Sequence, residues 1–244
     1  MRRATHADAP AVQSVLATDP ATWELLEGAP LRSDESLHLL AERPPGVTPD
    51  RKFVYVLDDL CVIDMVQGYP DPATWYLGVI FIAPGARNLG LGSRLIAQMA
   101  ELARRGGGTA LRLAVVAENT AARRLYDRLG FQLVARRPRN AQQVDVLELA
   151  LSTAPTGFHV DAHCCTNCGT PQALAPHLFA SLPDYASCCI VRQPRTDAEL
   201  DLMCDVLAAQ DLGCIRYFGE ASEVLVKIRA RGLGELGTQK IRTK

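Results

Sequence analysis

A chain of 244 residues that is 48% hydrophobic exceeds the usual span of one domain, about 100 to 200 residues, and can furnish a sizeable core in each of two. Its 26 Lys and Arg set against 27 Asp and Glu leave a formal net charge of -1. That balance, with the two signs interspersed, excludes a global field that would recruit nucleic acid or an anionic membrane. The opening MRRATHADAP lacks an apolar signal-peptide core, and no run approaches the roughly 18 apolar residues of a membrane span. A cytoplasmic location and a small-molecule or protein partner are therefore expected.

In chain order, HADAPAVQSVLA and RSDESLHLLAE carry apolar residues at helical spacing, and RPPG ends the second. KFVYVLD, LCVIDMVQG and TWYLGVIFI follow, three apolar and β-branched runs parted by Asp58-Asp59 and by YPDP, which read as an antiparallel meander. RLIAQMAELARR predicts a helix with Leu95, Ile96, Met99 and Leu102 on one face. After the glycines at 106 to 108, ALRLAVVA is a strand. NTAARRLYDRLG is a helix with Asn119 as N-cap, Ala122, Leu125 and Leu129 inward and Gly130 at its stop. FQLVARR and VDVLELAL close a front domain of residues 1–154 as strands. The break at STAPTG, residues 152–157, separates it from a second domain, 155–244. The class is α+β, without internal repeats.

The sharpest chemistry of the front domain is PGARNLGLGSRL, which joins an apolar strand to a helix expected to begin near Ser93. Gly90 and Gly92 let the backbone turn without a Cβ, so that successive N–H groups converge at the positive end of the helix and cradle a pyrophosphate. A dinucleotide fold is the rival reading, with Glu118 as its ribose-binding acid. Against it, Leu95 stands at the third glycine position, and the preceding strands do not open a βαβ unit.

Arg87-x-x-Gly90-x-Gly92 after a strand and Pro84, followed by Asn119-x-x-Ala122-x-x-Leu125-Tyr126-x-x-Leu129-Gly130-Phe131, resembles the GNAT acetyltransferase superfamily over residues 1–151. The resemblance implies a GNAT fold with a mixed central sheet and transfer of acetyl from acetyl-CoA to a primary amine of a small molecule or protein. It implies that residues Arg87, Asn88, Leu89, Gly90, Leu91, Gly92 and Ser93 hold the pyrophosphate and that Ile80, Phe81 and Ile82 pair with the pantetheine arm. Asn119 is then placed beside the cofactor and Tyr126 at the thioester sulfur. Strand and cradle would align the thioester for attack, and the N–H of Ile82 could serve the oxyanion. A tyrosine hydroxyl, ordinarily of pKa about 10, could protonate the leaving thiolate. The general base has no such signature. Asp58, Asp59, Asp64 and Glu118 all lie near strand ends and none is singled out. His6 and His38 read as surface residues, and Trp23 and Trp75 as core residues rather than acceptor-pocket walls.

Seven of the eight cysteines lie between Cys164 and Cys214. In a reducing compartment such clusters serve as metal ligands or reduced core thiols rather than disulfides. A short strand, Cys165-x-x-Cys168-Gly169, APHLF, SCCIVRQP, the helix TDAELDLMCDVLAAQ and then Cys214 resemble a single-cluster bacterial ferredoxin over residues 157–230. That implies a small α+β ferredoxin-like domain with an iron–sulfur cluster and a redox partner. Cys165, Cys168 and Cys214 match its ligands. Pro171 stands where the third loop cysteine belongs, so Cys189 is assigned in its place, with Cys188, His163 and Cys164 as the other donors within reach. Zinc is the competing metal, and a metal-free domain is the third reading. Cys204 shares the stripe of Leu200, Met203 and Leu207 and reads as a small buried hydrophobe. The expected function is an acetyl-CoA-dependent N-acetyltransferase with an appended ferredoxin-like domain. The alternative is a CoA-binding redox or metal sensor without turnover.

Overall fold

The computed structural model describes residues 1–139, 142–151, 157–161, 164–183 and 186–237. The chain divides into two compact units, Met1–Ser152 and Thr153–Lys244. In the first unit the order is β1 (Arg2–Arg3), α1 (Ala9–Leu16), α2 (Pro20–Glu27), α3 (Glu35–Ala41), β2 (Lys52–Leu57), β3 (Cys61–Gln67) and β4 (Thr74–Ile82). There follow α4 (Leu91–Arg105), β5 (Ala110–Val116), α5 (Thr120–Arg128), β6 (Gln132–Arg139) and β7 (Gln142–Ala150).

These strands build a 7-stranded sheet in the order β1-β2-β3-β4-β5-β7-β6. The meander β2-β3-β4 is antiparallel, as short Asp- and Gly-containing turns require, whereas β4 and β5 run parallel. A crossover through α4 returns the chain to the same edge and imposes that direction. The sheet is therefore mixed. One face packs on α4 and α5 through Leu95, Ile96, Met99, Leu102 and Tyr126. The other is covered by α1 to α3 through Val12, Leu16, Trp23 and Leu39. Both faces being covered explains why β3 reads CVIDMVQ, apolar at almost every position, instead of alternating.

Three details depart from the sequence reading. The helix α2 was not anticipated: Asp19 caps it by accepting from Thr22 N at 3.0 Å, Pro20 starts it and Gly28 ends it in the left-handed region. α4 begins at Leu91, ahead of Ser93. The β3–β4 ladder also slips, with Asp64 opposite Val79 and Met65 opposite Leu77, so Gly78 is the additional residue of a β-bulge.

The second unit contains β8 (Gly157–Val160), α6 (Thr170–Leu174), β9 (Phe179–Ser181), β10 (Cys188–Ile190), α7 (Asp197–Ala209), β11 (Ile215–Phe218) and α8 (Ser222–Ala230). β8 pairs antiparallel with β11, and β9 with β10. Their core gathers Phe158, Phe179, Met203, Cys204, Leu207, Ile215 and Ile228, so Cys204 packs as a hydrophobe. Pro171 is buried in the first turn of α6, where its missing N–H costs no helical hydrogen bond. The linker at 152–157 lies, but for Gly157, outside the described residues. Among the described residues no helix is long and apolar enough to cross a membrane.

Candidate active site

The β4–β5 ladder runs from Thr74↔Ala110 to Leu77↔Leu113 and stops, while β4 stays paired with β3 as far as Ile82. The two parallel strands part there. A cleft of about 580 Å³ opens between them, walled by Gly78 to Ile82 of β4 and Leu113 to Val116 of β5. The peptide groups of β4 that would have faced β5 are thereby turned toward the cleft, an edge that an extended amide chain can pair with.

At one end the cleft is closed by Arg87, Asn88, Gly90, Gly92 and Ser93 together with Asn119, Ala122, Leu125 and Tyr126. Asn88 has φ 62° and Gly90 φ 79°, and a Cβ placed on Gly90 would find nothing within 4 Å. The loop is thus left-handed and open on its outer side, as a backbone cradle for phosphate oxygens must be. Gly92 serves differently, because a Cβ there would lie 3.1 Å from Leu125 Cδ2. The Arg87 side chain is committed elsewhere. Its Nε donates to Ile82 O at 2.8 Å and its Nη1 pairs with Asp19 Oδ2 at 2.7 Å, tying the loop to the cap of α2. Leu89 is 77% exposed and Leu91 packs on the core, so neither side chain lines the cleft.

Asn119 caps α5, its Oδ1 accepting from Ala122 N at 3.1 Å, which leaves its NH₂ group as a donor at the cleft wall. Tyr126 is buried, with its ring centroid 5.4 Å from that of Phe131. Burial pushes its hydroxyl pKa up, so it stays protonated across the ordinary pH range.

Thr22, Leu25, Leu26, Glu27 and Arg139 also line the cleft. Arg139 and Gln142 donate to the carbonyls of Leu26 and Leu25, fastening the end of α2 across the strands β6 and β7. Burial raises the Glu27 carboxyl, with Arg139 opposing. On the face of the sheet covered by α1 to α3, Asp64 and Lys52 form an ion pair of 2.6 Å with both side chains buried. Burial outweighs Lys52 and lifts Asp64 to about 6, helped by Glu27 and Glu42. A Cβ on Gly78 would come within 2.6 Å of Asp64 Oδ2; the carboxylate occupies the room that the bulge glycine leaves, next to the cleft wall. Sequence alone did not separate Asp64 from Asp58, Asp59 and Glu118, which are all exposed. Trp23 and Trp75 are core residues, packed on Phe81 and Phe53.

The Acetyltransferase (GNAT) family model matches residues 18–131. The match to the GNAT family model is confined to this segment. The matched segment runs from the cap of α2 through Phe131 and so contains the cleft, the left-handed loop, Asn119 and Tyr126. The chain is 39% identical over 77 residues to the thialysine N-epsilon-acetyltransferase of Bos taurus, a match that covers 30% of this chain and 45% of that protein. The chain thus spans under half the length of this curated relative. Solved structures agree in fold: an acetyltransferase from Thermus thermophilus at 20% identity and TM-score 0.50, covering 62% of this chain and 95% of that one. A probable GNAT-family acetyltransferase from Chromobacterium violaceum matches at 15% identity and TM-score 0.51, covering 62% and 82%.

The cysteines of the second unit are arranged otherwise than the sequence implied. Cys214, assigned as a metal ligand, is joined to Cys164 in a disulfide. Cys189, assigned as the replacement ligand, is fully buried. Neighbouring strand residues face opposite sides, and it is Cys188 whose Sγ lies 3.5 Å from Cys165 Sγ. Cys168 is exposed. Cys165, Cys168, Cys189 and Cys214 therefore do not converge, and among the described residues no three His, Cys, Asp or Glu side chains form a metal-binding group. His163 lies outside the described residues.

Proposed function

We propose that the first unit is an acetyl-CoA-dependent N-acetyltransferase acting on a primary amine. The observation that carries this reading is the parting of β4 and β5 between a left-handed glycine loop and a buried, protonated tyrosine in one cleft. The loop N–H groups from Arg87 to Gly92 would hold the pyrophosphate, the open edge of Gly78 to Ile82 the pantetheine amides, and the Asn119 amide a polar group beside them. Glu27 lines the cleft beside Arg139, and Asp64 stands behind Gly78 of the cleft wall, paired with Lys52. Asp64, held near pKa 6, is the carboxylate best tuned to accept the amine's proton at neutral pH. Attack of the free amine on the thioester carbonyl forms the C–N bond, and collapse breaks the C–S bond. The Tyr126 hydroxyl gives its proton to the departing sulfur.

For the second unit, the pairing of β8 with β11 and of β9 with β10, with helices in the connections, supports a ferredoxin-like arrangement in which the cluster ligands are not assembled. The transferase reading is tested by incubating the full chain with acetyl-CoA and a panel of amines beginning with thialysine and lysine, following release of the CoA thiol and acetylated product by mass spectrometry. Binding of CoA with product formation is expected. Absence of CoA binding by a folded chain would overturn the reading, and binding without product from any amine would leave a CoA-binding module.

A further inference from the structure

We propose that Cys165 and Cys188 are a redox-active dithiol that closes to a disulfide by exchange with a low-molecular-weight disulfide. Their sulfurs lie 3.5 Å apart, so closure to the roughly 2.05 Å of a disulfide needs an approach of only about 1.5 Å. The two sulfurs differ in access. Cys165 is half-buried, whereas Cys188 is 1% exposed within the core of β8, α7 and β11.

The surroundings of Cys165 carry the second part of the argument. Two backbone N–H groups point at its sulfur, from Cys188 at 3.4 Å and from Asn167 at 3.5 Å. These contacts hold the sulfur facing Cys188. The geometry is held in place. Asn167 sits in the left-handed region at φ 54°, and its Oδ1 accepts from Gln172 Nε2 and Ser181 Oγ at 3.4 and 3.2 Å, anchoring the loop to α6 and β9. Burial, and next the nearby Cys165, push the Cys188 thiol up, and Cys165 is the sulfur that an incoming disulfide can reach. The first nucleophile and the resolving thiol are thus distinct.

The exchange balances without a further oxidant. The Cys165 thiolate attacks one sulfur of RS–SR, releases RS⁻ and leaves a Cys165–S–S–R bond. Cys188, giving up its proton, attacks the Cys165 sulfur and releases the second RS⁻. Two protein thiols are oxidised, one disulfide is reduced to two RSH, and the cysteine protons pass to the leaving thiolates. Cys164 does not compete for the pair, because it is already bridged to Cys214.

The test treats the full chain with oxidised glutathione, blocks remaining thiols and maps bonds by peptide mass spectrometry without reduction. The expected product is a Cys165–Cys188 bond, with Cys189 and Cys204 still alkylated, and Cys168→Ser leaves its formation unchanged. Cys188→Ala should abolish the bond and trap glutathione on Cys165. Where that variant fails to fold, the wild-type map alone decides. The proposal is overturned by a wild-type chain in which Cys165 and Cys188 both remain alkylatable while glutathione sits on Cys168, by pairing of either with another cysteine, or by native mass spectra showing a metal held in place of the bond.

Discussion

Asp64 is a carboxylic acid buried on the sheet face of an apolar domain, and its burial makes a signed prediction about pH. The difference between its ordinary value of 3.8 and the folded value of about 6, at about 1.4 kcal/mol per pH unit, is about 3 kcal/mol. Because the folded value is the higher one, the native state holds a proton that the unfolded chain has already lost. The stabilisation is complete below about pH 4 and is lost as pH rises to about 6. Urea unfolding from pH 4 to 7, monitored by circular dichroism, should therefore show the wild type losing about 2 kcal/mol relative to Asp64→Asn across that window. The second unit is identical in the two chains and cancels in the difference. Parallel stability curves for the two proteins, or a wild type that gains on Asp64→Asn as pH rises, would refute the claim that burial outweighs the Lys52 ion pair.

Gly90→Val places a β-branched residue at φ 79°; it should abolish the rise in thermal stability given by CoA while costing the free protein about 1–2 kcal/mol, read by differential scanning fluorimetry. With an accepting amine in hand, Tyr126→Phe should lower kcat by about 100-fold or more while leaving the CoA dissociation constant within about twofold. Equal kcat would reduce the tyrosine to packing. In the second unit, Cys204→Ser puts a hydroxyl at a site with 0% exposure and should destabilise that unit by about 1–3 kcal/mol, measured by urea denaturation.

The sequence by itself determined whatever is encoded within a few neighbouring residues. The apolar period of Leu95, Ile96, Met99 and Leu102, the cap at Asn119, the left-handed Gly90 and the runs of the β2-β3-β4 meander each follow from local backbone sterics and side-chain spacing, and each was legible together with the cleft residues it positions. α2 was missed although Asp19-Pro20 and Gly28 bracket it, because an 8-residue helix with one buried tryptophan has almost no periodic signal. What only the tertiary structure decided depends on partners distant in sequence. The bulge at Gly78 is a matter of register between strands, and it separates Asp64 from other turn acids by burying it beside Lys52. The cysteines make the same point most plainly. Their spacing suggested one set of ligands, but Cys214 closes on Cys164 across 50 residues, and the pleat of β10 turns Cys188, not Cys189, toward Cys165. Which sulfurs meet is settled by how β8, β10 and β11 pack around a shared core, and no spacing within a single segment contains that information.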